Sequence, residues 1–133
     1  SLEENKAIIR SLIEVFNKHN VALMDDFIAP DVVIDHTLRG LDSFKKFETN
    51  FIISLLDYSE TIEDIIAEGD KVWTRFKTTG TASTGEKMEL TSINILRIVN
   101  GKVVENLQVS NPLGLLIQLG AVEYTEKGKK LFP

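Results

Sequence analysis

The chain has 133 residues, of which 43% are apolar and 26% charged, and its formal net charge at pH 7 is −5. That length suits one domain with a core that buries roughly two-thirds of the surface exposed by the unfolded chain. The acidic balance argues against nucleic acid or an anionic membrane as partner. The absence of cysteine excludes a disulfide framework, a thiol nucleophile or a cysteine metal site. No run reaches the ~18 apolar residues of a membrane span, and nothing reads as a signal peptide, so the expected location is the cytoplasm.

The first element is an amphipathic helix over Glu3 to Lys18, with Ile8, Ile9, Leu12, Ile13 and Phe16 on one stripe. Asn20 is placed to cap a short second helix carrying Leu23, Met24, Phe27 and Ile28, which Pro30 ends. Asp31 to His36 reads as a short strand and Thr37 to Gly40 as a loop. A third helix, capped by Asp42 or Ser43, runs to about Leu56. It sets Phe44, Phe47, Phe51 and Leu55 on its apolar stripe and Lys45, Lys46 and Glu48 off it. Three phenylalanines on one side predict a helix lying across a sheet, as core or cavity wall.

From Tyr58 the period changes to two. Tyr58–Glu68 is a strand, its adjacent Ile65 and Ile66 pointing to a bulge or crowded end. In Lys71–Thr81, Val72, Thr74, Phe76 and Thr78 alternate with Trp73, Arg75, Lys77 and Thr79. Gly80–Lys87 reads as a loop or hairpin end. Two long strands then flank Asn100-Gly101, the strongest short-range hairpin signal, because a type I′ turn needs φ > 0 at both central residues. Plain pairing sets Val99 opposite Lys102, Ile98 opposite Val103, Leu96 opposite Glu105 and Asn94 opposite Leu107. Both faces of this hairpin are apolar near the turn and more polar away from it, which suits a cavity wall. Pro112 to Leu119 closes as a short helix, and 123–133 is a polar, solvated tail. Helices segregated from a run of antiparallel strands make an α+β domain. It occupies 1–133 as a single unit, with a core of about 5–120.

VFNKHN (Val15–Asn20), IAPDVVIDH (Ile28–His36), DIIAEGDKVWTRFKTTGT (Asp64–Thr81), ILRIVNGKVVE (Ile95–Glu105) and NPLGLLIQLG (Asn111–Gly120) follow one another in an order and spacing that resemble the polyketide cyclase SnoaL-like family, within the nuclear-transport-factor-2-like superfamily. The resemblance implies a cone: N-terminal helices packed on a curved, mostly antiparallel sheet, with an apolar cavity open at one end. It also implies homodimers that pair through the outer face of the sheet. Cyclases of the family use an Asp on the last strand for an intramolecular aldol closure, without metal or cofactor. The position matching that Asp here is Gln108, a pocket His of the family matches Asn94, and a pocket Gln matches Ser92.

A glutamine amide exchanges hydrogen bonds but takes up no proton. The expected function is therefore a cavity for a small hydrophobic molecule, lined by Gln108, Asn94, Ser92, Trp73 and Phe51, with no cofactor and no metal. The alternative is a cofactor-free cyclase, isomerase or hydrolase in which His36 supplies the base and Gln108 and Asn94 hold an enolate or carbonyl oxygen. A structural dimer module is the third reading. Plain two-residue pairing puts Gln108 on the opposite face from Asn94 and Ser92, so a shared cavity demands a β-bulge between them. Arg75 and Arg97 suit either a ligand carboxylate or surface pairs with Glu89 or Glu105.

Overall fold

The computed structural model describes residues 1–36 and 38–131, with backbone alone for Leu38 and Arg39. Helix α1 (Leu2–Asn17) begins with a capping box, in which the Ser1 hydroxyl accepts from the Glu4 N–H and the Glu4 carboxylate reaches back to Ser1. Ile9, Leu12, Ile13, Val15 and Phe16 form its buried stripe. The next segment, Val21–Asp26, is a 3-10 helix with no side-chain cap from Asn20. Ile28 already belongs to strand β1 (Ile28–Ile34), so Pro30 lies inside a strand and does not terminate a helix. Its missing N–H is harmless there, because the pairing of β1 with its neighbour is interrupted between Ile28 and Val33.

Strand β2 (Leu38–Arg39) leads to helix α2 (Leu41–Ile53). Gly40 stands at its N-cap, with φ at +92°, so neither Asp42 nor Ser43 is the cap. The helix stops at Ile53, and Leu55 opens strand β3 (Leu55–Glu68). Strands β4 (Lys71–Ala82) and β5 (Lys87–Val99) extend into the expected loop, leaving a tight turn closed by Ala82 N–H to Glu86 O and Gly85 N–H to Ala82 O. Asn100 and Gly101 both have positive φ, 52° and 77°, and turn the chain into β6 (Lys102–Ser110). Helix α3 (Pro112–Gln118) is capped by the Asn111 side chain, and the tail forms a short exposed helix α4 (Glu126–Leu131). Thr37 of the expected loop and Phe132 and Pro133 of the expected tail lie outside the described residues.

The sheet order is β2-β1-β6-β5-β4-β3, with β1 parallel to β6 and every other pair antiparallel. Register shifts in β1–β6, in β3–β4 and in β5–β6 give the sheet its bends. Of the two in β3–β4, one falls between Leu56 and Ser59 and the other between Ile62 and Asp64, ahead of the Ile65-Ile66 pair. Helix α1 packs on β3 and β4, α2 on β1 and β3, and α3 on β5. The buried core joins Ile9, Phe16, Met24, Val32, Phe44, Val72, Phe76 and Val103. No helix among the described residues is long and apolar enough to cross a membrane.

Candidate functional site

Between the helices and the concave face of the sheet lies a cavity of about 490 Å³. Alternation sets its floor: Phe76 and Thr78 of β4 and Leu90, Ser92, Asn94 and Leu96 of β5 all point inward. Helix α1 adds Ile9, Leu12, Ile13 and Phe16, and α2 adds Phe44, Glu48 and Phe51. The phenylalanines therefore line the space without filling it; Phe47 is 59% exposed.

One wall is built of amides. Arg97 pairs with Glu105 and Ile98 with Val103, which leaves Val104 as an extra residue in β6. The expected register fails by one position from there on. Leu96 faces Asn106 and not Glu105; Asn94 faces Gln108 and not Leu107; Ser92 faces Ser110. A one-residue insertion reverses the in/out alternation of everything beyond it. This bulge brings Asn106, Gln108 and Ser110 into the same cavity as Ser92 and Asn94. Asn94 is 4% exposed and its Nδ2 donates to Asn106 Oδ1 at 2.9 Å. Its own Oδ1 is buried and accepts no hydrogen bond from any described residue. Gln108 lies further out and is exposed, with its backbone N–H donating to Asp35 Oδ1 at 2.6 Å.

The facing wall carries ionisable groups, among them Glu48, expected from the sequence off the apolar stripe of its helix and turned instead into the cavity. Tyr58 and Glu60 of β3 and Glu48 of α2 all line the cavity. The Tyr58 hydroxyl donates to Glu60 Oε2 at 2.7 Å, and its ring meets Phe51 edge-on at 6.2 Å. Burial, with the nearby Glu60 charge as a second cause, pushes the Glu48 carboxyl up to about 8. Burial also raises Glu60, opposed by the hydrogen bond from Tyr58. Burial first, then the carboxylates, keeps the Tyr58 phenol neutral. Asp35 is the third carboxyl of the lining; no Lys, Arg or His side chain belongs to it among the described residues. Glu48 falls four residues after Phe44 and three before Phe51, and Glu60 two after Tyr58. A charge at an inward helical or strand position was the available signal.

His36 and Trp73 do not belong to this site. His36 sits in an exposed turn with φ at +63°, next to Asp35 at +50°. That backbone turns Asp35 to the cavity and His36 away from its lining. Trp73 alternates with the inward Val72 and Thr74, so it faces the outer surface of the sheet, half-buried. Arg75 and Arg97 share that outer face and pair with Asp64 at 2.7 Å and Asp70 at 3.7 Å, while Glu89 pairs with Lys77.

Helices laid on a bent, mostly antiparallel sheet, with an apolar cavity between them, make this an α+β domain. Residues 6–119 match the SnoaL-like polyketide cyclase family, and the chain belongs to that family. No curated protein sequence matches it. Among solved structures it is similar to IdmH from Streptomyces antibioticus, a candidate polyketide cyclase, at 28% identity and a TM-score of 0.79, over 87% of this chain and 98% of that one. A loop-truncated form of IdmH is 30% identical, with a TM-score of 0.79 over 87% of this chain and 99% of its own. TsrD from Streptomyces laurentii, 20% identical over 92% of this chain and 98% of its own, shares the fold with a TM-score of 0.84.

Proposed function

We propose that the cavity takes a small hydrophobic molecule bearing a hydroxyl group or an enolisable carbonyl. The observation that carries this reading is the unpartnered, buried Oδ1 of Asn94 in a largely apolar cavity of about 490 Å³. A buried polar atom left unpaired costs roughly 1–3 kcal/mol, and a ligand hydroxyl or enol donating to Asn94 removes that cost. Gln108 and Ser92 extend the polar wall, and Phe51 belongs to the apolar one. Gln108 stands where cyclases of this family carry their acid, and an amide there orients a ligand oxygen without taking its proton. His36, exposed and outside the lining, is dropped from the site.

A thermal-shift panel of polycyclic ketones, aromatic polyketide-like esters, terpenoid epoxides and fatty acids tests the reading. A ligand at about 100 times its Kd adds roughly 2.7 kcal/mol, which is several degrees in a domain of this size. A hit among the enolisable ketones or hydroxyl-bearing esters that Asn94→Leu abolishes supports it; silence across the panel contradicts it.

The outer face of the sheet supports a homodimer. Ile66, Ile93 and Val109 are 64%, 50% and 72% exposed. They neighbour Trp73, Ile95 and Leu107 across the strands, in an apolar patch that a second copy would cover.

A further inference from the structure

We infer that Glu60 and Glu48 are an acid/base pair acting on the ligand of this cavity, Glu60 taking a proton from carbon and Glu48 giving one to oxygen. The inference rests on the reading of the cavity as a site for a neutral carbonyl compound.

Four arrangements support this. Both carboxyls line the cavity, from two different elements, and Asn94 presents its buried, unpartnered Oδ1 to the same space. A carboxyl pair that served only folding would be matched by a cation, and no cation belongs to the lining among the described residues. The two groups also differ in surroundings. Glu60 receives the Tyr58 hydroxyl on Oε2, which favours its anion, whereas Glu48 has only burial and the Glu60 charge acting on it, which favour its neutral form. Burial raises both carboxyls, and the hydrogen bond that Glu60 alone of the two receives makes it the better holder of negative charge, and so the base of the pair. Glu60 is also fixed in place, because the Asn17 side chain holds its backbone at both ends: Nδ2 donates to Glu60 O at 2.8 Å, and Oδ1 accepts from Glu60 N–H at 2.7 Å.

The step is enolisation. The C–H bond next to the carbonyl breaks and its proton passes to Glu60. The bonding pair becomes the carbon–carbon double bond of the enol, and the carbonyl π pair moves to oxygen, which takes the proton of Glu48. Ketonisation runs the same transfers backwards and restores both groups. In D₂O, a cycle in which the proton on Glu60 exchanges with solvent before ketonisation replaces an α-hydrogen by deuterium.

The test uses 2-tetralone, a neutral bicyclic ketone, with the intact protein in D₂O, following loss of its α-proton signals by NMR above the buffer rate. Binding of the same ketone is read separately by thermal shift. Wild type should bind and exchange. Glu60→Gln, which keeps the shape and can still accept from Tyr58, should bind and lose at least 100-fold of the exchange, the scale of general-base catalysis. Glu48→Gln should bind and lose the fall in rate at alkaline pH that wild type displays. His36→Ala should leave the rate unchanged. Binding with no exchange in wild type, exchange retained in Glu60→Gln, or loss in His36→Ala overturns the acid/base assignment while leaving the cavity reading intact. Failure of wild type to bind overturns both for ketones.

Discussion

Asn17 holds Glu60 by both of its backbone hydrogen-bonding groups. β3 is the edge strand of the sheet, so Glu60 has no neighbouring strand on that side, and the amide of Asn17, at the end of α1, takes that strand's place. Gln118 does the same for Glu89, beyond the end of β6: Glu89 N–H donates to Gln118 Oε1 at 2.8 Å, and Gln118 Nε2 donates to Glu89 O at 2.9 Å. Both clips tie a helix to a strand through amide hydrogen bonds, and the Asn17 clip fixes the backbone beneath a cavity carboxyl. Asn17→Ala removes two exposed hydrogen bonds, a loss of about 1–2 kcal/mol. A fall in Tm of several degrees, together with slower ketone exchange, is the expected result in calorimetry and NMR.

Stability should fall as pH rises through the neutral range. The Glu48 carboxyl titrates at the ordinary 4.5 when unfolded and at about 8 when folded. Between those values the folded chain binds more protons than the unfolded one, so raising the pH favours unfolding, by at most ~1.4 kcal/mol per pH unit. Burial of Glu60 adds to the same trend. Urea midpoints at pH 5, 6, 7 and 8 should decline for wild type and decline less for Glu48→Gln.

A cavity lined by three carboxyls and no cation among the described residues selects against anions. A carboxylate ligand meets like charges in a poorly solvated space, whereas its methyl ester does not. Calorimetric titration of matched pairs at pH 7 should give the ester at least a tenfold lower Kd than the free acid.

The apolar patch on the outer face predicts self-association. Ile93 and Val109 are neighbours across β5 and β6 and largely exposed. Ile93→Asp combined with Val109→Asp should convert a dimer to a monomer in light scattering, without touching the cavity, because the Asp side chains would stand on the opposite face.

Periodicity made most of the fold legible. The α1 stripe, the alternation of Val72 to Thr79 and the Asn100-Gly101 turn all stand where local chemistry puts them. The first strand was less legible, because a proline normally ends an element, and only the gap in its tertiary pairing makes room for Pro30. In the site, the need for a bulge was readable from the demand that Asn94 and Gln108 share a face, but its position at Val104 was not, since Val103 and Val104 are equally suited to a strand. Glu48 and Glu60 escaped because charges are ordinarily assigned to solvent. Their inward positions were written in the spacing from Phe44 and Tyr58, and only the packing of α2 against β3 made them neighbours of a cavity.

A proton held on Glu48 at neutral pH is what distinguishes the acid of this site from its base, and the titration of Glu48 reads that proton directly. Carbon-detected NMR of the Glu48 Cδ, assigned by its loss in Glu48→Gln, should give a midpoint near 8, against an ordinary 4.5. A midpoint near 4.5 would mean a solvated, ionised carboxyl at pH 7 and would contradict the assignment of Glu48 as the acid of this site.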